Sequence, residues 1–126
     1  MSAAQKHEQR ARALAGFLAA AGVSHFVVPS FYDRIVPRAL PGDPRFWTQW
    51  SGAAELAAAA TVAFKPTRRA GGAIAAALFV AVFPGNLQMA WDWRDRSPRD
   101  RALAYGRLPL QLPLVWWALR VRACAA

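Results

Sequence analysis

Three long stretches of this chain carry almost no charge, and they limit what it can fold into more than any other feature. Ala13 to Tyr32 runs for twenty residues without a formal charge, Phe46 to Phe64 for nineteen with only Glu55, and Ala70 to Trp91 for twenty-two with none. A hydrocarbon layer about 30 Å thick is crossed by roughly 20 apolar residues rising about 1.5 Å each. A helix on the surface of a water-soluble domain keeps charged and polar residues along its outer face, and these runs leave no room for them. They predict three membrane-spanning helices. A fourth apolar run, Leu108 to Leu119, has only twelve residues and reaches about 18 Å. It crosses if Ala102 to Tyr105 join it while Arg107 snorkels its guanidinium to the headgroups. Pro109 and Pro113 would then bend or loosen its first turns; the alternative is a half-buried or re-entrant segment. The expected fold is all-α, a four-transmembrane-helix antiparallel bundle. Its spans are placed at 13–32, 46–64, 70–91 and 102–121, after a cytoplasmic N-terminal tail over 1–12 and before a C-terminal tail over 123–126.

The remaining composition removes several classes. With 56% hydrophobic residues the chain has too much to bury to be disordered. One cysteine, Cys124, excludes an internal disulfide framework and any CxxC redox or zinc site. Two histidines are too few for a haem pair or a His-rich metal site, so no metal is expected. A net charge of +9 first suggests nucleic acid, yet the basic residues fall in short clusters between the apolar runs and form no face of their own. Their place is the headgroup layer, where they meet anionic lipid. Lys6, Arg10 and Arg12 resemble the basic start of a signal peptide, but the apolar run continues through Phe26, Val27 and Val28, past any plausible cleavage site. Basic residues tie at eight on each side of the bundle. Both termini are placed in the cytoplasm because the opposite side interleaves its arginines with aspartates.

Aromatic residues cluster where two interfaces would lie: Phe31, Tyr32, Phe46, Trp47, Trp50, Trp91 and Trp93 toward the long loops, Trp116 and Trp117 toward the termini. Small residues recur every four positions in Gly16, Ala20 and Ser24, in Ala53 and Ala57, and in Gly72 and Ala76. Such faces let helix backbones approach closely in lipid.

Any chemistry rests on the polar residues inside the spans, which are His25, Glu55, Asn86 and Gln111 in chain order. Counted from the long-loop ends they lie about 7–10, 13, 7 and 6 Å deep, all in one half of the bilayer. An ionised Glu at mid-membrane costs on the order of 3 kcal/mol or more, so Glu55 should face the interior and find a donor among His25, Asn86, Gln111 and Arg107. Either these groups are interhelical glue, contributing about 0.6 kcal/mol per bond, or they line a polar pocket. A carboxylate beside an imidazole can hold and pass a proton, which suits a quinone head group or a small polar ligand. Ser51 shares a helical face with Glu55, and Tyr32 shares one with His25. No Gly-rich phosphate loop or nucleophile elbow occurs.

Four blocks carry a family resemblance: GVSHFVVPSFYDRIVPRALP from Gly22, SGAAEL from Ser51, VFPGNLQMA from Val82 and RLPLQLPLVWWAL from Arg107. Together they resemble the DoxX-like bacterial membrane proteins, over roughly residues 16–122. The resemblance implies a four-helix protein of the bacterial inner membrane, with His25, Glu55, Asn86 and Gln111 on the positions its motifs mark. Gly85 departs from the alanine expected between Pro84 and Asn86. Relatives of this kind look like subunits or partners of membrane redox systems, including thiosulfate:quinone oxidoreductase; without a thiol pair, sulfur chemistry is not carried over.

Two functions are therefore expected to compete. One is an accessory subunit of a membrane redox system, not an enzyme on its own, in which Glu55 and His25 handle protons and Trp47 and Trp50 flank a quinone ring. The other is a non-catalytic scaffold for a partner enzyme. The expected partners are the lipid bilayer, a membrane or peripheral oxidoreductase, and further copies of the chain.

Overall fold

The computed structural model describes residues 1–125, and their regular structure is helical. Helix α1 covers Ala3–Val27, α2 Pro29–Asp33, α3 Pro44–Ala63, α4 Arg68–Ala81, α5 Phe83–Asp92 and α6 Pro98–Cys124, with a 3-10 turn at Lys65–Thr67 between α3 and α4. Local signals set these ends. Ser2 and Gln5 form a capping box on α1. Asp43 caps α3 ahead of Pro44, and Ser97 caps α6 ahead of Pro98. Pro29 stands at the start of α2, directly after the break at Val28. Pro84 has no N–H to give the α4 carbonyls, and the backbone steps out of the helix at Val82 before α5 resumes.

Several boundaries differ from those read in the sequence. Residues 3–12, read as an N-terminal tail, form the first turns of α1, because the capping box starts the helix ahead of the apolar run. Cys124 is likewise the last residue of α6, half-buried. Pro109 and Pro113 sit inside α6 without interrupting it. The first apolar run breaks at Val28, so α1 offers only 13–27 as an uncharged helix. Of the described helices, only the nearly continuous segment Lys65–Asp92 is long and apolar enough to cross a membrane.

The helices pack in the order α1, α3, α4, α6, with α5 extending α4 along α6, and α2 lying on α3. The larger core gathers Leu14, Leu18, Val62 and Phe79 with several alanines. A smaller one at the loop end gathers Met89, Trp93 and Ala104 under Phe31 and Ile35. What lies outside is larger than what lies inside: Val80, Leu112, Trp50, Trp91 and Trp116 are all more than half exposed.

The tightest seam joins α1 to α3. A Cβ on Gly52 would stand 2.7 Å from the His25 Cβ, and one on Gly22 would stand 3.0 Å from the Gly52 carbonyl oxygen. Gly72 makes the corresponding approach to α6, 2.9 Å from the Ala118 carbonyl. The small residues expected at the seams are partly elsewhere: Gly72 and Ala76 are buried, whereas Gly16, Ala20, Ala53 and Ala57 point outward.

At the end holding the termini, one buried arginine ties three elements. Arg68 donates through Nε to the Val62 carbonyl at 2.7 Å and through Nη2 to the Ala63 carbonyl at 3.0 Å, capping the end of α3. Its Nη1 meets Glu8 of α1 at 2.6 Å. The hydrogen bond from Arg68 holds the Glu8 carboxyl below its ordinary value of 4.5, helped by Arg12 and Lys65.

Two outcomes follow from this packing. Gly52→Ala should lower thermal stability in detergent by about 1–3 kcal/mol through overpacking, while Gly16→Ala, with nothing within 4 Å of the new Cβ, should leave it unchanged or raise it. Because the folded value of Glu8 is depressed, its contribution is present above 4.5 and disappears as pH falls through the lowered value. Melting temperatures should therefore drop more in the wild type than in Glu8→Gln as pH falls from 4.5 through the lowered value; equal slopes would remove Glu8 from the account.

Candidate functional site

The seam between α1 and α3 builds the first part of the site. With glycine at 22 and 52 nothing separates the helices, so His25, one turn beyond Gly22, lies across from Glu55, one turn beyond Gly52. His25 Nδ1 stands 3.5 Å from Glu55 Oε2. The same nitrogen lies 2.7 Å from the Ala21 carbonyl, an oxygen that can only accept, so Nδ1 carries the proton and directs it there. Glu55 Oε2 is left buried with no hydrogen-bond partner. The break at Val28 folds α2 back so that the Tyr32 ring stacks on His25, 3.7 Å between centres and 14° from parallel. Its hydroxyl is 2.6 Å from Ser24 Oγ, which donates to the Ala21 carbonyl. The imidazole is thus held from two sides.

A second polar group spans α5 and α6. Asn86 Nδ2 donates to Gln111 Oε1 at 3.0 Å, and Arg107 Nε donates to Asn86 Oδ1 at 3.1 Å. Gln111 Nε2 in turn donates to the Phe79 carbonyl, one of the α4 carbonyls left without an intrahelical donor by the Val82 break. Both side chains of the Asn86–Gln111 pair are buried. Phe31 links the groups: Arg107 lies 5.8 Å from its ring centre, and that ring meets Tyr32 edge-on at 5.3 Å.

The residues predicted to form one pocket therefore divide. His25, Glu55 and Tyr32 come together, and Asn86, Gln111 and Arg107 come together. Ser51 is half-buried a turn before Glu55 but joins neither hydrogen-bonded group. Trp50 is 63% exposed and flanks nothing in the site. Trp47 is used elsewhere, donating from Nε1 to the Pro41 carbonyl at 2.8 Å and lining a cleft of about 340 Å³ at the loop end with Arg34, Pro37 and Gln88. A comparable cleft of about 320 Å³ lies at the opposite end, lined by His7, Glu8, Arg68 and Cys124. Neither reaches Glu55 or Asn86. Among the described residues no three His, Cys, Asp or Glu side chains converge as a metal set would.

A family model described as "Domain of unknown function (DUF8561)" matches residues 14–122, and this range contains both polar groups and the Gly22–Gly52 seam. The chain belongs to that family. No curated protein and no solved structure matches it.

Sequence reasoning missed several residues of this DUF8561 protein that hold the site. Ser24 was visible only as a small residue, although its place beside His25 allows the contact to Tyr32. Gln88 staples the proline-rich loop, donating to the Val36 carbonyl at 2.7 Å and accepting from the Arg38 N–H at 2.8 Å. Asp92 grips Arg38 through two hydrogen bonds of 2.9 and 3.1 Å, which hold that guanidinium above its ordinary value. Asp33 joins Thr48 at 2.6 Å and Arg45 at 2.9 Å. These contacts span 12 to 54 residues in sequence, and no local motif announces them.

Asn86 works in both directions, so its replacement should cost more than a surface polar substitution. Asn86→Leu should lower stability by about 1–2 kcal/mol by leaving Gln111 and Arg107 each short of a partner. Adding Gln111→Leu should recover part of that loss in a double-mutant cycle; strict additivity in thermal unfolding would count against the pair.

Proposed function

We propose that this DUF8561 protein is a DoxX-like membrane protein of the bacterial inner membrane, with four spans and both termini cytoplasmic. It would serve as an accessory subunit of a membrane redox system and bind a quinone or quinol against Glu55 and His25. The observation that carries the reading is the buried Glu55 Oε2 without a hydrogen-bond partner, 3.5 Å from an imidazole nitrogen whose proton is directed to the Ala21 carbonyl. Buried polar atoms are paired in the great majority of cases, and an unpaired acceptor is a place for a ligand's donor. A quinol hydroxyl supplies that donor. The Glu55 side chain is 13% exposed, so a ligand reaches it from the face of the α1–α3 seam rather than through either end cleft. When a partner oxidoreductase withdraws the electrons, Glu55 takes the proton the quinol hydroxyl releases.

Support for the membrane setting comes from the surface: many alanines and glycines line the interior around a few larger residues such as Leu14, Leu18 and Val62, while Trp50, Trp91, Leu112, Trp116 and Val80 stand more than half exposed. Water-soluble monomers seldom show contiguous apolar patches beyond a few hundred Å². A second reading, a scaffold whose polar groups only join helices, is favoured by the Asn86–Gln111–Arg107 set, where each amide is bonded to protein.

Glu55→Gln separates the two. It should keep the fold and melting temperature yet weaken quinol binding by the purified protein at least about tenfold, as expected for a lost charge-assisted hydrogen bond. A variant that unfolds, or one that binds quinol as the wild type does, sides with the scaffold.

A further inference from the structure

Among the described residues Glu8 is the only acidic side chain near the terminal end, and its carboxylate is already shared: Arg12, Lys65 and Arg68 lie 3.0, 3.9 and 2.6 Å from it. Arg10 sits on the other flank of α1 and has no such neighbour. Trp117 Nε1 donates to the Arg10 carbonyl at 3.1 Å, which sets the register of antiparallel α1 and α6. Arg10 is level with Trp116 and Trp117, while Lys6, a turn earlier on α1, is level with Arg120, a turn later on α6. The Arg10 guanidinium lies 6.0 Å from the Trp116 ring centre, and its Nη1 is buried without a hydrogen-bond partner. A partly buried cation with no protein acceptor is costly until an anion reaches its remaining edge, and among the described residues no acidic side chain is in place to do so. Below this level the seam is apolar. Phe17 packs 5.9 Å from the Trp117 ring and is 42% exposed, Trp116 is 61% exposed, and Leu112, one turn before Trp116, is 77% exposed.

We propose that Lys6, Arg10 and Arg120 bind the phosphate of an anionic glycerophospholipid at the terminal end of the α1–α6 seam, with Trp116 under the headgroup and Phe17 and Leu112 along an acyl chain. The site rests on the membrane setting proposed above and is independent of the quinol reading. Indole and guanidinium stacked together leave N–H edges free for phosphate oxygens, while the rings and Leu112 need no partner but hydrocarbon. A free phosphate would use only the polar half.

The test uses the full chain in phosphatidylcholine vesicles containing the same fraction of brominated phosphatidylglycerol or brominated phosphatidylcholine, read by tryptophan quenching. The brominated phosphatidylglycerol should quench more, and Trp116→Phe should remove most of that difference. Arg10→Gln and Arg120→Gln should each weaken the preference about fivefold, while Arg12→Gln, whose charge Glu8 already holds, should not change it. Equal quenching by the two lipids overturns the proposal, as does a preference that survives the Arg10→Gln, Arg120→Gln double variant. Abolition of the preference by inorganic phosphate at matched concentration overturns it in favour of a free-anion site. An alkaline carbonate wash tells the readings apart. Release of the wild type overturns the membrane setting and the lipid site with it, whereas retention with equal quenching overturns the lipid site alone.

Discussion

The contact between two glycines, Gly22 on α1 and Gly52 on α3, governs the placement of everything else in the candidate site. Without side chains there, the helices approach until backbone meets backbone: a Cβ on either residue would come within about 3 Å of the facing chain. That spacing decides what the next turn of each helix can do. His25 and Glu55 face one another because the glycines one turn before them have already closed the gap. A Cβ at 52 would collide first with the Cβ of His25, so the seam cannot widen without moving the imidazole. In an apolar medium helix association depends on such close dispersion contact, because burying apolar groups from lipid gains little.

The two ends of the bundle hold this seam in register by different means. At the terminal end a single guanidinium, Arg68, satisfies two carbonyls at the end of α3 and pairs with Glu8 of α1, so α3, α4 and α1 meet through one side chain. At the loop end the work is divided. Asp33 holds Thr48 and Arg45, and Gln88 with Asp92 holds the loop carrying Arg38. Between these ends the midsection has two polar groups of opposite character. Asn86 and Gln111 each donate and accept, and the Phe79 carbonyl near the end of α4 is the last acceptor of their chain. Glu55, on the other seam, ends in an oxygen with no donor. A bundle that used polar groups only as fasteners would be expected to saturate both; this contrast is what the proposed binding role of Glu55 rests on.

Much of the helical order could be read from the residues. Apolar runs bounded by Pro, Asp and Arg clusters locate four long helical stretches; of the polar residues inside them Asn86 and Gln111 pair across a seam, whereas His25 bonds within its own helix and Glu55 faces it unpaired. What could not be read has physical causes. The depth of a residue along a helix follows from counting, so His25, Glu55, Asn86 and Gln111 could be ranked by level. Their azimuth depends on which neighbour each helix takes and on where the backbone kinks. The break at Val28 turns Tyr32 onto His25, and the step at Val82 releases the carbonyl that Gln111 takes. Neither could be found by periodicity alone. Small residues misled for a related reason. A four-residue spacing says that a face is narrow, not which way it looks, and Gly16, Ala20, Ala53 and Ala57 look outward while Gly22 and Gly52 make the seam. Trp47 and Trp50 were expected to flank a quinone ring together. On a helix they diverge, one turned to the loop and the other to the exterior.

The distribution of side-chain size bears on what medium this family occupies. A core built from Ala58, Ala59, Ala75, Ala76 and Ala118 around a few larger residues buries little area per helix, and hydrophobic stabilisation in water scales with that area. Meanwhile the large apolar side chains, Leu112 and Trp116 on α6 or Val80 and Leu87 on α4 and α5, lie outside. In water such a chain would gain more by turning inside out than by folding this way. In hydrocarbon the exchange carries no driving force, and the arrangement that wins is the one that packs backbones closely and pairs every polar group it can. By that logic the proposed bilayer setting and the single unpaired carboxyl oxygen are linked. Under the proposed reading, a medium that penalises an unpaired acceptor so heavily keeps Glu55 buried because the ligand brings the missing donor.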